Sequence, residues 1–333
     1  MSAVQCGAFS FGGRQKDGIS AVLDGVPDGD RTHNLQIRNL ILYPIELRKQ
    51  NPLNYSSTYW YNFDMTKTDN IRLIVCDIDN TVLPYGEKRI SERLKNDLNK
   101  AEEKGIFVMI DTGRHYTFIP PSFFEDLPMK LIGTINGACL TDREGHTLEK
   151  DAMSVDDMNQ LTRICEENNI GLGFKFEDAI VTYANHDKFV KGYCTDDYFA
   201  AKVLNDDAKR THHLEHGCPL GTFIIGDEEV IEPLKHSIDD LVFAWSAKHG
   251  YDVFLKRVTK ATAVEHVLKR LNLTWDNVIG FGDAGNDTPF IEKAAIGVAL
   301  GNSKDDVKEH ADIIADDCRN DGVAKVLEEL HLA

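Results

Sequence analysis

An apolar run, Leu73, Ile74, Val75 and Cys76, ends in two aspartates, Asp77 and Asp79, with one residue between them. A strand buried on both faces meets carboxylates only at its exposed end, so the pair is expected to face a crevice. Further polar groups stand at the ends of other runs: Thr112 with Gly113 and Arg114, then Lys260, then Asp283 with Asn286 and Asp287. In an open parallel sheet the carboxyl ends of the strands share one edge, and ligands bind there, so these distant groups can converge. The chemistry on offer is that of clustered carboxylates, and an anionic ligand could approach them only with the help of local cations.

The elements that must position these groups follow from periodicity. After "NIRLIVCDIDNT" comes a helix, "SERLKNDLNKAEEKG", with Ser91 as N-cap, Leu94, Leu98 and Ala101 on one face and Gly105 past its end. The apolar runs "IFVMIDTGR" and "KLIGTING" follow, the latter ending at Asn136 and Gly137. The alternation resumes late, with "ATAVEHVLKRLNL" as helix, "NVIGFGDAGND" and "IGVALGN" as strands, and "DGVAKVLEELHL" as terminal helix. Alternating strands and helices imply right-handed crossovers and a parallel sheet covered on both sides: a doubly wound α/β core. Between these blocks "GLGFKFEDAIVTYA", "GTFIIGDEE" and "LVFAWSAKHGYDVFLK" change the pattern and read as an α+β insertion.

The chain has 333 residues, enough for two domains, and a formal charge of −17. That charge argues against a general nucleic-acid or anionic-membrane binder. No run approaches the roughly 20 apolar residues of a membrane span, and the N-terminus lacks the regions of a secretory signal, so a cytoplasmic location is expected. Seven scattered cysteines without a CxxC pair fit reduced thiols and no zinc cluster. Oligomeric state cannot be read from the chain.

Residues 1–64 differ from the rest: they lack sustained periodicity and hold six basic and six acidic side chains, so the whole net charge belongs to the remainder. One permitted coding of "LYPIEL", read in reverse complement, resembles the D arm of a transfer RNA gene, and one of "GDRTH" resembles the T arm, in the right order. The expectation is that residues up to 64 are translated from an antisense tRNA gene and that the native chain begins at Met65; an ordinary disordered extension is the alternative.

The set D-x-D-x-T, T-G-R, K and G-D-x-x-N-D, in this order, resembles the haloacid dehalogenase (HAD) superfamily of phosphohydrolases. The late "VALGNSKDDVKEHAD" and "NDGVAKVL", and the insertion after the second motif, make it similar to the Cof-like branch, from Ile71 to Leu330. The resemblance implies a phosphatase core over 65–148 and 250–333, with a cap over 149–249 that closes on the substrate and selects it. It implies Mg2+-dependent hydrolysis of a small phosphomonoester, with sugar phosphates the leading class. Asp77 would be the nucleophile that forms an aspartyl phosphate, and Asp79 the general acid and then base. Mg2+ would be held by the Asp77 carboxylate, the Asp79 main-chain carbonyl and Asp283. Lys260 would supply fixed positive charge, Thr112 and the Gly113 amide would hold phosphoryl oxygens, and Asn286 and Asp287 would orient the metal's surroundings or Lys260. A phosphomutase or other phosphotransferase would share every core motif. A non-enzymatic phosphoacceptor module is disfavoured, because a signalling switch needs neither the acid Asp79 nor a long cap.

Each motif alone has a plainer reading: an aspartate pair can cap a turn, and Thr112–Gly113 can be a strand-to-helix turn. Lys256 competes with Lys260, and lysine-alanine stands where the family has lysine-glycine. Asn80 stands where glycine is common. Arg114 reads equally as a phosphate contact or an ion-pair partner. His212, His213 and His216 lie in a polar stretch with no spaced partner in sight, so they read as loop side chains and not as metal ligands. Phe174, Phe176, Tyr183 and Trp245 read as cap core ahead of a substrate platform.

Overall fold

The structure, a computed structural model, describes residues 65–333; the expectation for residues 1–64 lies outside the described residues. The strands, in chain order, are β1 (Leu73–Cys76), β2 (Phe107–Asp111), β3 (Leu131–Thr134), β4 (Cys139–Asp142), β5 (Thr147–Lys150), β6 (Gly171–Lys175) and β7 (Ile180–Ala184). They continue as β8 (Val203–Asn205), β9 (Gly221–Ile225), β10 (Leu241–Ala247), β11 (Gly250–Leu255), β12 (Val278–Gly282), β13 (Ile296–Ala299) and β14 (Ile313–Ile314).

Two sheets result. The core sheet has the order β14-β13-β12-β1-β2-β3-β4-β5, parallel from β14 to β3 and antiparallel across β4 and β5. The doubly wound core expected from the sequence is present, extended at one edge by this antiparallel pair. Side chains of β1 divide between its faces: Ile74 and Cys76 join one apolar cluster with Leu94, Leu98 and Val326, whereas Leu73 and Val75 join another with Val264 and Val267. Burial on both faces is what made this strand a continuous apolar run.

The helix Glu92–Glu103 begins where Ser91 Oγ accepts the Leu94 amide at 3.1 Å, and it buries Leu94, Leu98 and Ala101. The helix Lys260–Leu271 begins beneath the sheet edge, with the Thr259 amide donating to Thr262 Oγ1 at 3.1 Å. Ala261, the departure from the family's lysine-glycine pair, is buried in the cluster with Leu73 and Val75. The close approach is instead made by Gly137, whose φ is +91° and where a Cβ would lie 2.0 Å from the Thr259 carbonyl oxygen.

The insertion forms a separate sheet, β10-β11-β9-β6-β7-β8, over the helix Val155–Glu167. Both boundaries expected for it need correction. Glu149 belongs to β5 of the core sheet, and a break at 249 and 250 would split the β10–β11 hairpin, in which Leu241 lies opposite Leu255. The two apolar halves of "LVFAWSAKHGYDVFLK" pair around their Lys-His-Gly turn, so the cap sheet ends at Leu255 and the core resumes with Lys260. Phe174, Phe176 and Tyr183 lie in the cap core as expected, while Trp245 is exposed.

The cap rests on the loop after β2. Lys175 Nζ, buried, donates to the Gly113 carbonyl oxygen at 2.9 Å and to Asp252 Oδ1 at 2.7 Å, and Lys202 Nζ donates to the Thr117 carbonyl oxygen at 2.7 Å. His115 Nε2 lies 2.8 Å from the Phe176 carbonyl oxygen. No helix of the described residues is long and apolar enough to cross a membrane.

Candidate active site

The chain leaves β1 for one side of the sheet and returns to its other side with β12, so β1 and β12 bracket the point where strand order reverses. A crevice opens at the carboxyl ends of such strands. Asp77 follows β1, Asp283 follows β12 and Thr112 follows β2.

Lys260 ties these ends together. Its Nζ donates to Asp77 Oδ1 and to Asp287 Oδ1, each at 2.6 Å, and all three residues are buried. Asp77 and Lys260 are 183 positions apart in sequence. Burial alone would lower the lysine's pKa, but Asp287 and Asp77 outweigh it and hold the ammonium above its ordinary range. Burial pushes the Asp77 carboxyl well up; Lys260 opposes this, and Asp287, Asp79 and Asp283 add to it. Lys256, by contrast, is exposed.

Asp283 is pushed up to about 7, by burial first and then by Asp287, while a hydrogen bond from Thr81 Oγ1 at 3.2 Å acts the other way. Ligand atoms of Asp77, Asp283 and Asp287 lie within 4.8 Å of one another. The Asp287 oxygens are already engaged, Oδ1 by Lys260 and Oδ2 by the Asp283 and Ala284 amides at 2.9 Å each. That leaves Asp77 and Asp283 as the carboxylates suited to a cation. An all-oxygen set of mutually repelling carboxylates fits a hard divalent ion such as Mg2+.

Asp79 projects outward and is gripped by Arg114, whose Nη2 donates to Oδ1 at 2.7 Å and Nε to Oδ2 at 2.9 Å. Asn80 has a φ of +59°, a left-handed conformation that asparagine tolerates, so the usual glycine is dispensable here. Thr112 Oγ1 accepts the Arg114 amide at 3.2 Å, and a Cβ on Gly113 would lie 2.9 Å from Asn136 Oδ1. That same oxygen accepts Asn286 Nδ2 at 3.0 Å. Thus Asp77, Lys260, Asp283 and Asp287 form one cluster, Asp79 adjoins it through the β1 loop, and Thr112, Gly113 and Asn286 are joined to it through Arg114 and Asn136.

Several participants carried no role in the sequence reading. Asn136, Thr81 and Asn302 stand inside segments that mark strand ends, and Asn302 Nδ2 donates to the Asn80 carbonyl oxygen at 2.9 Å. Asp111, directly before Thr112, is buried with neither oxygen hydrogen-bonded, and burial pushes it up to about 8 against the pull of Lys260. A carboxylate inside an apolar run was the available signal.

Comparison with known proteins identifies the family. Residues 74–327 match the family described as haloacid dehalogenase-like hydrolase. The 5-amino-6-(5-phospho-D-ribitylamino)uracil phosphatase YcsE of Bacillus subtilis is 28% identical over 261 residues, covering 78% of this chain and 95% of that protein. The pyridoxal phosphate phosphatase YbhA of Escherichia coli is 25% identical over 272 residues, covering 77% and 97% respectively. The phosphatase BT1666 from Bacteroides thetaiotaomicron has the same fold, with a TM-score of 0.70 at 21% identity over 84% of this chain and 100% of that one.

Proposed function

This chain belongs to the haloacid dehalogenase-like hydrolase family as a phosphoric monoester hydrolase, and from that premise we propose that it hydrolyses a small phosphorylated metabolite through an aspartyl phosphate on Asp77. The observation that carries this reading is the Lys260 ammonium 2.6 Å from Asp77 Oδ1 at the switch point of the sheet. A dianionic phosphate meets two aspartates here, and like charges about 4 Å apart repel by about 4 kcal/mol at an effective dielectric of 20. Lys260 offsets part of that repulsion and opposes the burial that favours the neutral form of Asp77, the group that attacks phosphorus in line.

Asp79, on the exposed side of the loop, is placed to protonate the departing alkoxide and then to take a proton from the water that hydrolyses the intermediate. Thr112 and the Gly113 amide hold phosphoryl oxygens, and Asn286 supports them through Asn136. Mg2+ would be held by the Asp77 and Asp283 carboxylates and the Asp79 main-chain carbonyl, and when bound it supplies positive charge to the phosphoryl oxygens. Asp287 keeps Lys260 and the Asp283 loop in position.

The cap that contacts Gly113 through Lys175 is assigned the choice of leaving group, with sugar phosphates and similar metabolites as the substrate class. The names of YcsE and YbhA, which act on a phosphorylated ribitylaminouracil and on pyridoxal phosphate, support a small phosphorylated metabolite. A phosphate-release screen of phosphorylated metabolites tests the reading. Wild type should release inorganic phosphate in a single turnover and Asp77→Asn should release none; full activity in Asp77→Asn removes the nucleophile.

A further inference from the structure

The histidines that lacked a sequence partner have one in space. His212 and His216 lie one turn apart on the short helix His212–His216, and both face Asp178 in the turn between β6 and β7. His212 Nε2 is 3.0 Å from Asp178 Oδ1, and His216 Nδ1 is 3.2 Å from Asp178 Oδ2. The two imidazoles stack with centroids 4.0 Å apart and planes within 5°. One ligand atom from each residue falls within 4.8 Å of the others.

We propose that Asp178, His212 and His216 form a second metal site, on the cap, that takes a zinc-class divalent ion. Ligands at about 2.0–2.1 Å from a tetrahedral ion are about 3.3 Å from one another, and each nitrogen here lies near that distance from its own oxygen of the one carboxylate, His212 from Oδ1 and His216 from Oδ2, so an ion need draw only one of the two oxygens toward both rings. Two imidazoles and one carboxylate leave a fourth position for water. This nitrogen-rich set suits zinc or its neighbours, whereas the all-oxygen cluster around Asp77 suits Mg2+, so the two sites select different ions.

The surroundings hold the ligands in place. Asp206 Oδ2 accepts the Thr211 and His212 amides at 2.6 and 2.9 Å, fixing the start of the helix. The His212 ring meets the Phe176 ring edge-on at 4.7 Å between centroids. Only Glu177 separates Asp178 from Phe176, whose carbonyl oxygen meets His115 beside the Thr112–Arg114 loop. An ion at Asp178 therefore ties the tip of the β6–β7 hairpin to the cap helix, next to the place where the cap rests on the core.

The test is titration of the magnesium-saturated full chain with Zn2+ by calorimetry, with Co2+ visible absorption to report ligand type. Wild type should bind one Zn2+ at this site, gain thermal stability from it, and give the intense spectrum of a tetrahedral nitrogen-oxygen cobalt site. His216→Ala, at a half-exposed position, should lose that binding, spectrum and stabilisation while keeping its melting temperature without zinc. Asp178→Asn should weaken binding at least tenfold. Absence of zinc uptake by wild type, or equal uptake, spectrum and stabilisation in His216→Ala, overturns the site. These readouts do not depend on phosphate release.

Discussion

Arg114 grips Asp79 with both sides of its guanidinium, at 2.7 and 2.9 Å, while its third nitrogen donates to the Phe118 carbonyl oxygen at 3.0 Å. The proton carrier proposed above is thus aimed by the same loop that presents Thr112. Lysine would keep the charge but lose the planar fork. Arg114→Lys is expected to lower kcat/KM about tenfold and Arg114→Met about a hundredfold, in line with the contribution of a positioned acid–base group. Steady-state kinetics on the substrate found by screening checks this; an unchanged kcat/KM in Arg114→Met would remove Arg114 from the mechanism.

Lys260 is the counter-charge of two buried carboxylates at once. Its removal leaves Asp287, which has no exposed surface, with an uncompensated charge, and breaking a buried pair in this way costs about 3–5 kcal/mol. Lys260→Met should therefore lose both phosphate release and about that much stability in urea unfolding. Lys256→Ala, on the exposed neighbouring turn, should match wild type in both. Equal stability of Lys260→Met and wild type would show that the carboxylates are neutral in the native protein.

The strand ends that build the site were legible because each is an apolar run stopped by a polar residue, a pattern that survives without knowledge of what faces it. Asp77, Thr112 and Asp283 were found in this way. The cross-links between loops were not: Asn136 joins Thr112 and Asn286, donating its main-chain amide to the Thr112 carbonyl oxygen and accepting from Asn286 Nδ2, and Asn302 reaches back to Asn80 across 222 positions, pairings that exist only once the sheet order is set. The carboxylate partner of the histidine pair was hidden for the same reason, since Asp178 lies 34 positions before His212, in the turn between β6 and β7. The cap boundary erred differently, because the Lys-His-Gly turn resembles a linker until Leu241 and Leu255 are seen to pair.

Asp283 links the metal question to stability. A ligand that binds only the native state stabilises it by about 2.7 kcal/mol at a hundred times its Kd. With Asp77 and Asp283 as the carboxylate donors, Mg2+ at that excess should raise Tm by several degrees, and chelation should abolish both the shift and phosphate release. Asp283→Asn should flatten the response by raising Kd. A Tm that responds equally to Mg2+ in Asp283→Asn would place the cation elsewhere.

His115 gives stability one pH-dependent contribution, isolated by comparison with a variant that cannot titrate there. Its Nε2 faces the Phe176 carbonyl oxygen at 2.8 Å and must donate, and its Nδ1 accepts the Thr117 amide at 3.2 Å, so the ring is neutral. Burial pushes it down to about 4, against the opposing pull of that carbonyl. The unfolded imidazole titrates near 6.5, so between about pH 6.5 and 4 the unfolded chain binds the extra proton and stability falls as pH falls. The loss approaches about 3 kcal/mol across that window. His115→Gln retains an amide donor for Phe176 but cannot titrate there, so the advantage of wild type over this variant in urea unfolding should shrink by about 2–3 kcal/mol from pH 7 to 4.5. A gap that stays constant with pH would mean that the imidazole takes up its proton equally in the folded and unfolded chain, which the two hydrogen bonds at its nitrogens do not allow.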